Sequence, residues 1–330
     1  MDDGTTQKSP EPSPKPKPTS RRDGTVHPLW SPSWALQAGL SGLRRSTRLK
    51  SMWPRMDRLC QPQSGRFWVV GGRPGNYKTQ FLWNLALDMA ERRQRVLFVS
   101  LEQEAGEMSV QAAARFSRID HERIALAHNE KDGVTLSDAE LDSLAAAEAR
   151  MTALELTLRM HGVEGHGRTI DDVVKSACRV HFDAVFIDHV GMLAREGRNE
   201  LDELSRAVDR LRGLSRGEVV ADYRPFVCTS SPLNRDEDRD GDKERQPRMS
   251  DCRGSGRIES DADLAMILRK RKRADEESND PDVLDAFVLK NRQGRSPLVL
   301  MFEGQGAICL VTERQRKDAG APPEHWAEGR

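Results

Sequence analysis

Residues 66–79 read RFWVVGGRPGNYKT: an apolar run, a Gly-Pro-Gly turn, then a lysine and a threonine. Phe67, Val69 and Val70 precede the turn, and Phe81, Leu82, Leu85 and Met89 follow it at helical spacing, so the segment predicts a strand, a loop and a helix. Set against G-x-x-x-x-G-K-[ST], Gly72, Lys78 and Thr79 stand in register, while Tyr77 occupies the place of the second glycine. Such a loop holds phosphate oxygens on its backbone N–H groups and on the helix N-terminus. The lysine then neutralises β/γ charge and the threonine hydroxyl binds Mg²⁺. The loop's phosphate-holding residues are therefore Gly72, Arg73, Pro74, Gly75, Asn76, Tyr77, Lys78, Thr79 and Gln80. The alternative is a plain glycine turn between a core strand and a core helix.

Outward from this stretch the chain alternates. Strands are predicted at 66–71, 95–101, 183–188, 225–231 and 263–268, and helices at about 79–92, 105–118, 137–150, 169–181 and 199–215. Alternation of this kind predicts an α/β fold, a mostly parallel sheet flanked by helices. Thr169 with Asp172 three residues on marks the start of the fourth helix. After residue 284 the runs LDAFVLKN, PLVLMFE and AICLVT, separated by QGR and GQG turns, predict antiparallel hairpins on the sheet edge.

The flanks differ in composition. Residues 1–30 carry PEPSPKPKP and almost nothing apolar, which predicts a disordered Pro/Lys-rich tail. Residues 31–60, with scattered Trp and Leu, read as a linker or arm that docks on the core or on a neighbouring subunit. The folded domain is expected at 61–313 and a flexible tail at 314–330. Across 1–56, ten Lys and Arg oppose four Asp and Glu, a local net charge of +6 that fits either a phosphate-binding tail or a solvated linker. The whole chain of 330 residues has a net charge of zero, so global charge points to no polyanionic partner. No apolar run reaches the ~18–20 residues of a membrane span, and no signal-peptide core is visible. Five scattered cysteines without a C-x-x-C pair argue for reduced thiols and a cytoplasmic site of action.

Two carboxylates stand where ligands of open α/β sheets bind, at the C-terminal ends of strands. VFID places Asp188 there as a candidate Mg²⁺-organising acid, and VSLE places Glu102 there as a group able to polarise an attacking water. Either acid alone reads as a polar strand end; their occurrence at the same edge as the loop favours the functional reading. His161 and His166 in HGVEGHG have no Cys or further His nearby and read as an ordinary loop.

The series GRPGNYKT, VLFVSLE, FSRID, AVFIDHVGML, SSPLNR, SDCRGSGRIESDADL and KNRQGR resembles the C-terminal ATPase domain of DnaB-like replicative helicases, a hexameric RecA-type motor, over about residues 60–312. The resemblance implies a RecA-like P-loop NTPase, with ATP and Mg²⁺ held by Lys78, Thr79 and Asp188 and with Glu102 as catalytic base. Lys290 and Arg292 fall on a pair that reaches the γ-phosphate bound by the adjacent subunit; without the family they read as alternating charges on an exposed edge strand. It further implies a homo-oligomeric, hexameric ring and a DNA partner, single-stranded, contacted through loops at about 193–199 and 234–250. The second loop has five basic against six acidic residues, and RKRKR at 269–273 runs into ADEESND, a solvated charged loop by composition. Three departures stand out. Tyr77 implies an altered loop with a ring over or beside the nucleotide, and Pro232 replaces a glutamine that senses the γ-phosphate. Residues 1–60 are too polar and proline-rich to be expected to form the family's N-terminal helical domain. The expected function is an ATP-hydrolysing motor, a DNA helicase or DNA-dependent ATPase in replication. The rivals are a RecA/RadA-type recombination ATPase and a non-motor ATP-binding regulator or helicase loader.

Overall fold

Short apolar runs alternating with helical patterns assemble into one sheet, seen in a computed structural model that describes residues 47–128, 134–155, 158–161, 169–194, 200–234, 245–252, 255–272 and 280–314. These residues belong to one compact unit, Thr47–Arg330. The expected tail at 1–30, all of the expected tail at 314–330 except Arg314, most of the two DNA-loop segments and residues 162–168 lie outside the described residues.

In chain order the elements are α1 (Pro54–Leu59), β1 (Phe67–Gly72), α2 (Lys78–Glu91), β2 (Val96–Ser100), α3 (Ala105–Ser117), α4 (His121–Ala127) and α5 (Asp138–Leu154). There follow β3 (Leu158–His161), α6 (Ile170–Val180), β4 (Ala184–Asp188), α7 (Glu200–Arg216), β5 (Phe226–Pro232) and α8 (Ser255–Asp261). The chain closes with β6 (Leu264–Lys270), β7 (Asp282–Asn291), β8 (Leu298–Gln305) and β9 (Leu310–Glu313). Strand order is β3-β2-β4-β5-β1-β6-β7-β8-β9. The first six strands in that order pair in parallel and the last three add antiparallel, so the expected hairpins extend the sheet beyond β6.

β1 is buried at every position, as a strand covered on both faces must be. Trp68 and Val70 face one core with Phe81, Leu82 and Leu85 of α2, while Phe67 and Val69 face the other with Val173 of α6 and Leu211 of α7. The α6 start is capped as expected, the Thr169 side chain accepting from Asp172 N–H at 3.2 Å.

Residues 49–60 pack into the first core. The Trp53 ring lies 4.6 Å from Phe81 and 5.1 Å from Phe302, is fully buried, and its Nε1 donates to the Val311 carbonyl at 3.3 Å. Both Glu313 carboxylate oxygens accept from the first N–H groups of α1, Arg55 and Met56, at 2.7 Å each.

One expectation is corrected here. β7 is not an edge strand: it pairs with β6 on one side and β8 on the other, and the sheet edges are β3 and β9.

Candidate nucleotide site

The site is set by register. Gly71 of β1 lies beside Ser231 of β5, and Ser100 of β2 beside Asp188 of β4, so the loop after β1, the acid beyond β2 and the acid that ends β4 share the C-terminal edge of the parallel strands. The Thr79 hydroxyl donates to Asp188 Oδ2 at 2.5 Å, and Ser230 Oγ hydrogen-bonds the other carboxylate oxygen. Asp188 is 2 % exposed, so two hydroxyls hold a buried carboxylate. Lys78 Nζ donates to the Arg73 carbonyl at 2.9 Å and the Asn76 amide to the Leu268 carbonyl at 3.1 Å, which ties the loop across its own mouth and to β6. Burial lowers the Lys78 pKa below that of free lysine, while Asp188 and Glu102 pull it back up.

Tyr77 makes the turn that the second glycine would make. Its φ of 59° and ψ of 21° are left-handed, the region glycine enters freely and other residues at a cost of about 1–2 kcal/mol. Its ring packs against β8, and the hydroxyl donates to Asp282 Oδ2 at 2.7 Å. The substitution thus places the ring on the hairpins.

The residues present fit a nucleoside triphosphate. The 14-residue helix α2 has no side-chain cap and no acid in its first turn, leaving its N–H groups for an anion. A Cβ on Gly72 would lie 3.0 Å from Lys78 Cγ and 3.2 Å from the Leu268 carbonyl oxygen, so glycine gives the lysine an unobstructed path along the loop.

Glu102 lies just beyond β2, about half exposed, with Oε1 3.0 Å from His189 Nε2. Burial lowers the His189 pKa, opposed by Glu102 and Asp188. Ser230 and His189 were not singled out from the sequence. Ser230 belongs to SSPLNR, and its place against Asp188 follows from the pairing of β5 with β4. Pro232 closes β5 opposite Gly72.

Lys290 and Arg292 lie elsewhere. Their strand end pairs with Leu264, which is level with Trp68, whereas the loop follows Gly72, level with Leu268. Four residue steps at about 3.3 Å put at least ~13 Å between the two levels. Lys290 Nζ hydrogen-bonds the Glu259 carbonyl and Arg292 Nη2 the Ser260 carbonyl at 2.5 Å, both on α8. Arg269, Lys270 and Arg271 of the basic run are engaged: Arg269 on the Arg245 carbonyl, Lys270 with Asp282, Arg271 bidentate on Asp285 at 2.7 and 2.8 Å.

A glycine-rich loop between a core strand and a helix, with a buried acid at the next strand but one, defines a P-loop nucleotide-binding protein of RecA-like architecture. Residues 49–307 match the family described as DnaB-like helicase C terminal domain, and the chain belongs to that family. It is 28% identical over 264 residues to the replicative DNA helicase DnaB of Haemophilus influenzae, covering 76% of this chain and 52% of that protein. It is 27% identical over 236 residues to a probable plasmid replicative DNA helicase of Chlamydia psittaci, covering 70% and 48%. The chain thus spans about half the length of these relatives. A solved structure of a DnaB-like replicative helicase superposes with a TM-score of 0.72 at 19% identity, over 88% of this chain and 69% of that one, a likeness of fold.

Proposed function

We propose that this chain is an ATP-hydrolysing motor of the DnaB-like class, working as a homo-oligomeric ring on single-stranded DNA in replication. The observation that carries the reading is the convergence of Lys78, the Thr79–Asp188–Ser230 cluster and Glu102 on one sheet edge, in a chain of this family. Lys78 and the loop N–H groups bind the phosphates. Thr79 and Asp188 would hold Mg²⁺, which would supply positive charge against the phosphates. Glu102, kept in place by His189, orients the attacking water and takes its proton.

Lys290 and Arg292 cannot serve the loop of their own chain, a strand's length away. Their proposed role is therefore in trans, at the nucleotide held by a neighbouring copy. The folded domain is assigned to about 61–313, with residues 47–60 as a docked arm. Pro232 has no donor, so sensing of the γ-phosphate does not pass through that side chain.

The test is ATP turnover with and without single-stranded DNA, alongside mass measurement with ATP. Stimulation by DNA together with a closed ring supports the proposal. Helical DNA-bound particles favour a recombination ATPase, and ATP binding without DNA-stimulated turnover favours a regulator or loader.

A further inference from the structure

A second charged feature lies outside the nucleotide site, at the β9 edge of the sheet, four strands across from β1. α1, the β7–β8 turn and the end of β9 enclose a groove of about 1140 Å³ lined by Arg55, Arg58, Arg295 and Arg314. Its single acid among the described residues is Glu313, whose two oxygens are both taken by the α1 backbone. Arg314 pairs with Glu303 at 3.0 Å, but Arg58 and Arg295 are exposed and form no ion pair among the described residues. With Arg314 paired to Glu303 and Glu313 engaged by α1, Arg55, Arg58 and Arg295 leave the groove positive, although the chain as a whole is neutral.

Arg55 and Arg58 come from one short helix and Arg295 from the β7–β8 turn, so two separate segments turn cations toward the same groove. From this we infer that the groove binds the phosphate backbone of nucleic acid, as a contact separate from the loops at 193–199 and 234–250 and independent of bound nucleotide. A phosphate backbone suits it because negative charge recurs every few ångströms along such a chain, and arginine forks match phosphate oxygens in pairs. A groove of this volume exceeds what one phosphate fills. The contact reads no base sequence, because arginines on a backbone position a strand without specifying it.

The experiment uses the full chain, a fluorescent single-stranded oligonucleotide of about 30 nucleotides, and no ATP or Mg²⁺, so failure of the motor reading leaves it intact. Anisotropy titrations across a salt series compare wild type with Arg58→Ala/Arg295→Ala. Lys175→Ala/Arg179→Ala on α6 serves as control, losing the same charge from an exposed face elsewhere. The groove variant should bind roughly tenfold or more weakly at ~0.1 M salt, with its log–log salt slope reduced by about 1.4 for two lost contacts to a single strand. The control should keep the wild-type slope. Equal weakening in both variants, or an unchanged slope in the groove variant, overturns the proposal. So does a groove that captures poly-glutamate in an Arg58- and Arg295-dependent way while oligonucleotide binding is untouched, which assigns it to an acidic protein segment.

Discussion

Tyr77 and Gly304 occupy one another's space: a Cβ on Gly304 would stand 2.6 Å from Tyr77 Cε1, closer than any real side chain packs. The tyrosine in the phosphate loop is thus accommodated by a missing side chain on β8, 227 positions along the chain. Gly304→Ala should destabilise the protein by about 1–3 kcal/mol through overpacking. In a Tyr77→Gly background most of that cost should vanish. Urea denaturation of the four proteins in the cycle measures it, and an equal cost in both backgrounds would show that the ring is not what excludes the methyl group.

Lys78→Ala should abolish nucleotide binding or turnover, because this partly buried ammonium is the fixed positive charge that the loop brings to the phosphates. Titration with a fluorescent ATP analogue checks this directly. Turnover at the wild-type rate would remove the assignment of the loop.

Glu102→Gln keeps the shape of the side chain and removes its ability to accept a proton. ATP affinity should stay within a few-fold of wild type while hydrolysis falls by about 10²–10⁴. Loss of binding instead would make Glu102 a structural partner of His189.

Arg292→Ala should bind ATP nearly normally and hydrolyse it about 10³–10⁵ more slowly, the usual contribution of an arginine finger. Mixing it with Lys78→Ala should restore part of the activity, because mixed interfaces pair an intact loop with an intact Arg292. Full activity of the single variant would return Arg292 to its place beside α8.

Trp53→Ala should cost about 3–5 kcal/mol, since it empties a fully buried site against Phe81 and Phe302 and leaves the Val311 carbonyl without its indole donor. The loss should appear as a lower urea midpoint. A cost below ~1 kcal/mol would mean that residues 49–60 fold onto the domain without stabilising it.

The strands that carry the site were legible because each is a continuous apolar run ending in Gly, Ser or an acid, a pattern that parallel, doubly covered strands require. β3, with the sequence LRMH, was not legible: an edge strand with a charge in its middle has no such pattern. The short helices α1, α4 and α8 were missed for a related reason. Six or seven residues hold a helix only through tertiary support, and for α1 that support is Glu313, some 257 residues distant. Lys78, Thr79, Asp188 and Glu102 could be named because spacing and strand ends point to them. Ser230 and His189 act across neighbouring strands, a relation that becomes visible only with the register.

Asp282 opens β7, and Arg292 follows its last residue at the other end. β7 is laced to neighbours along both flanks, and its ten residues at about 3.3–3.4 Å each make a bar about 33 Å long. A bar held in this way keeps its two tips at a fixed separation. Tyr77 grips one tip through Asp282, and Arg292 projects just past the other. The phosphate loop and the far end of β7 are thus ends of one continuous tether, made of a tyrosine, a carboxylate and ten residues of paired strand.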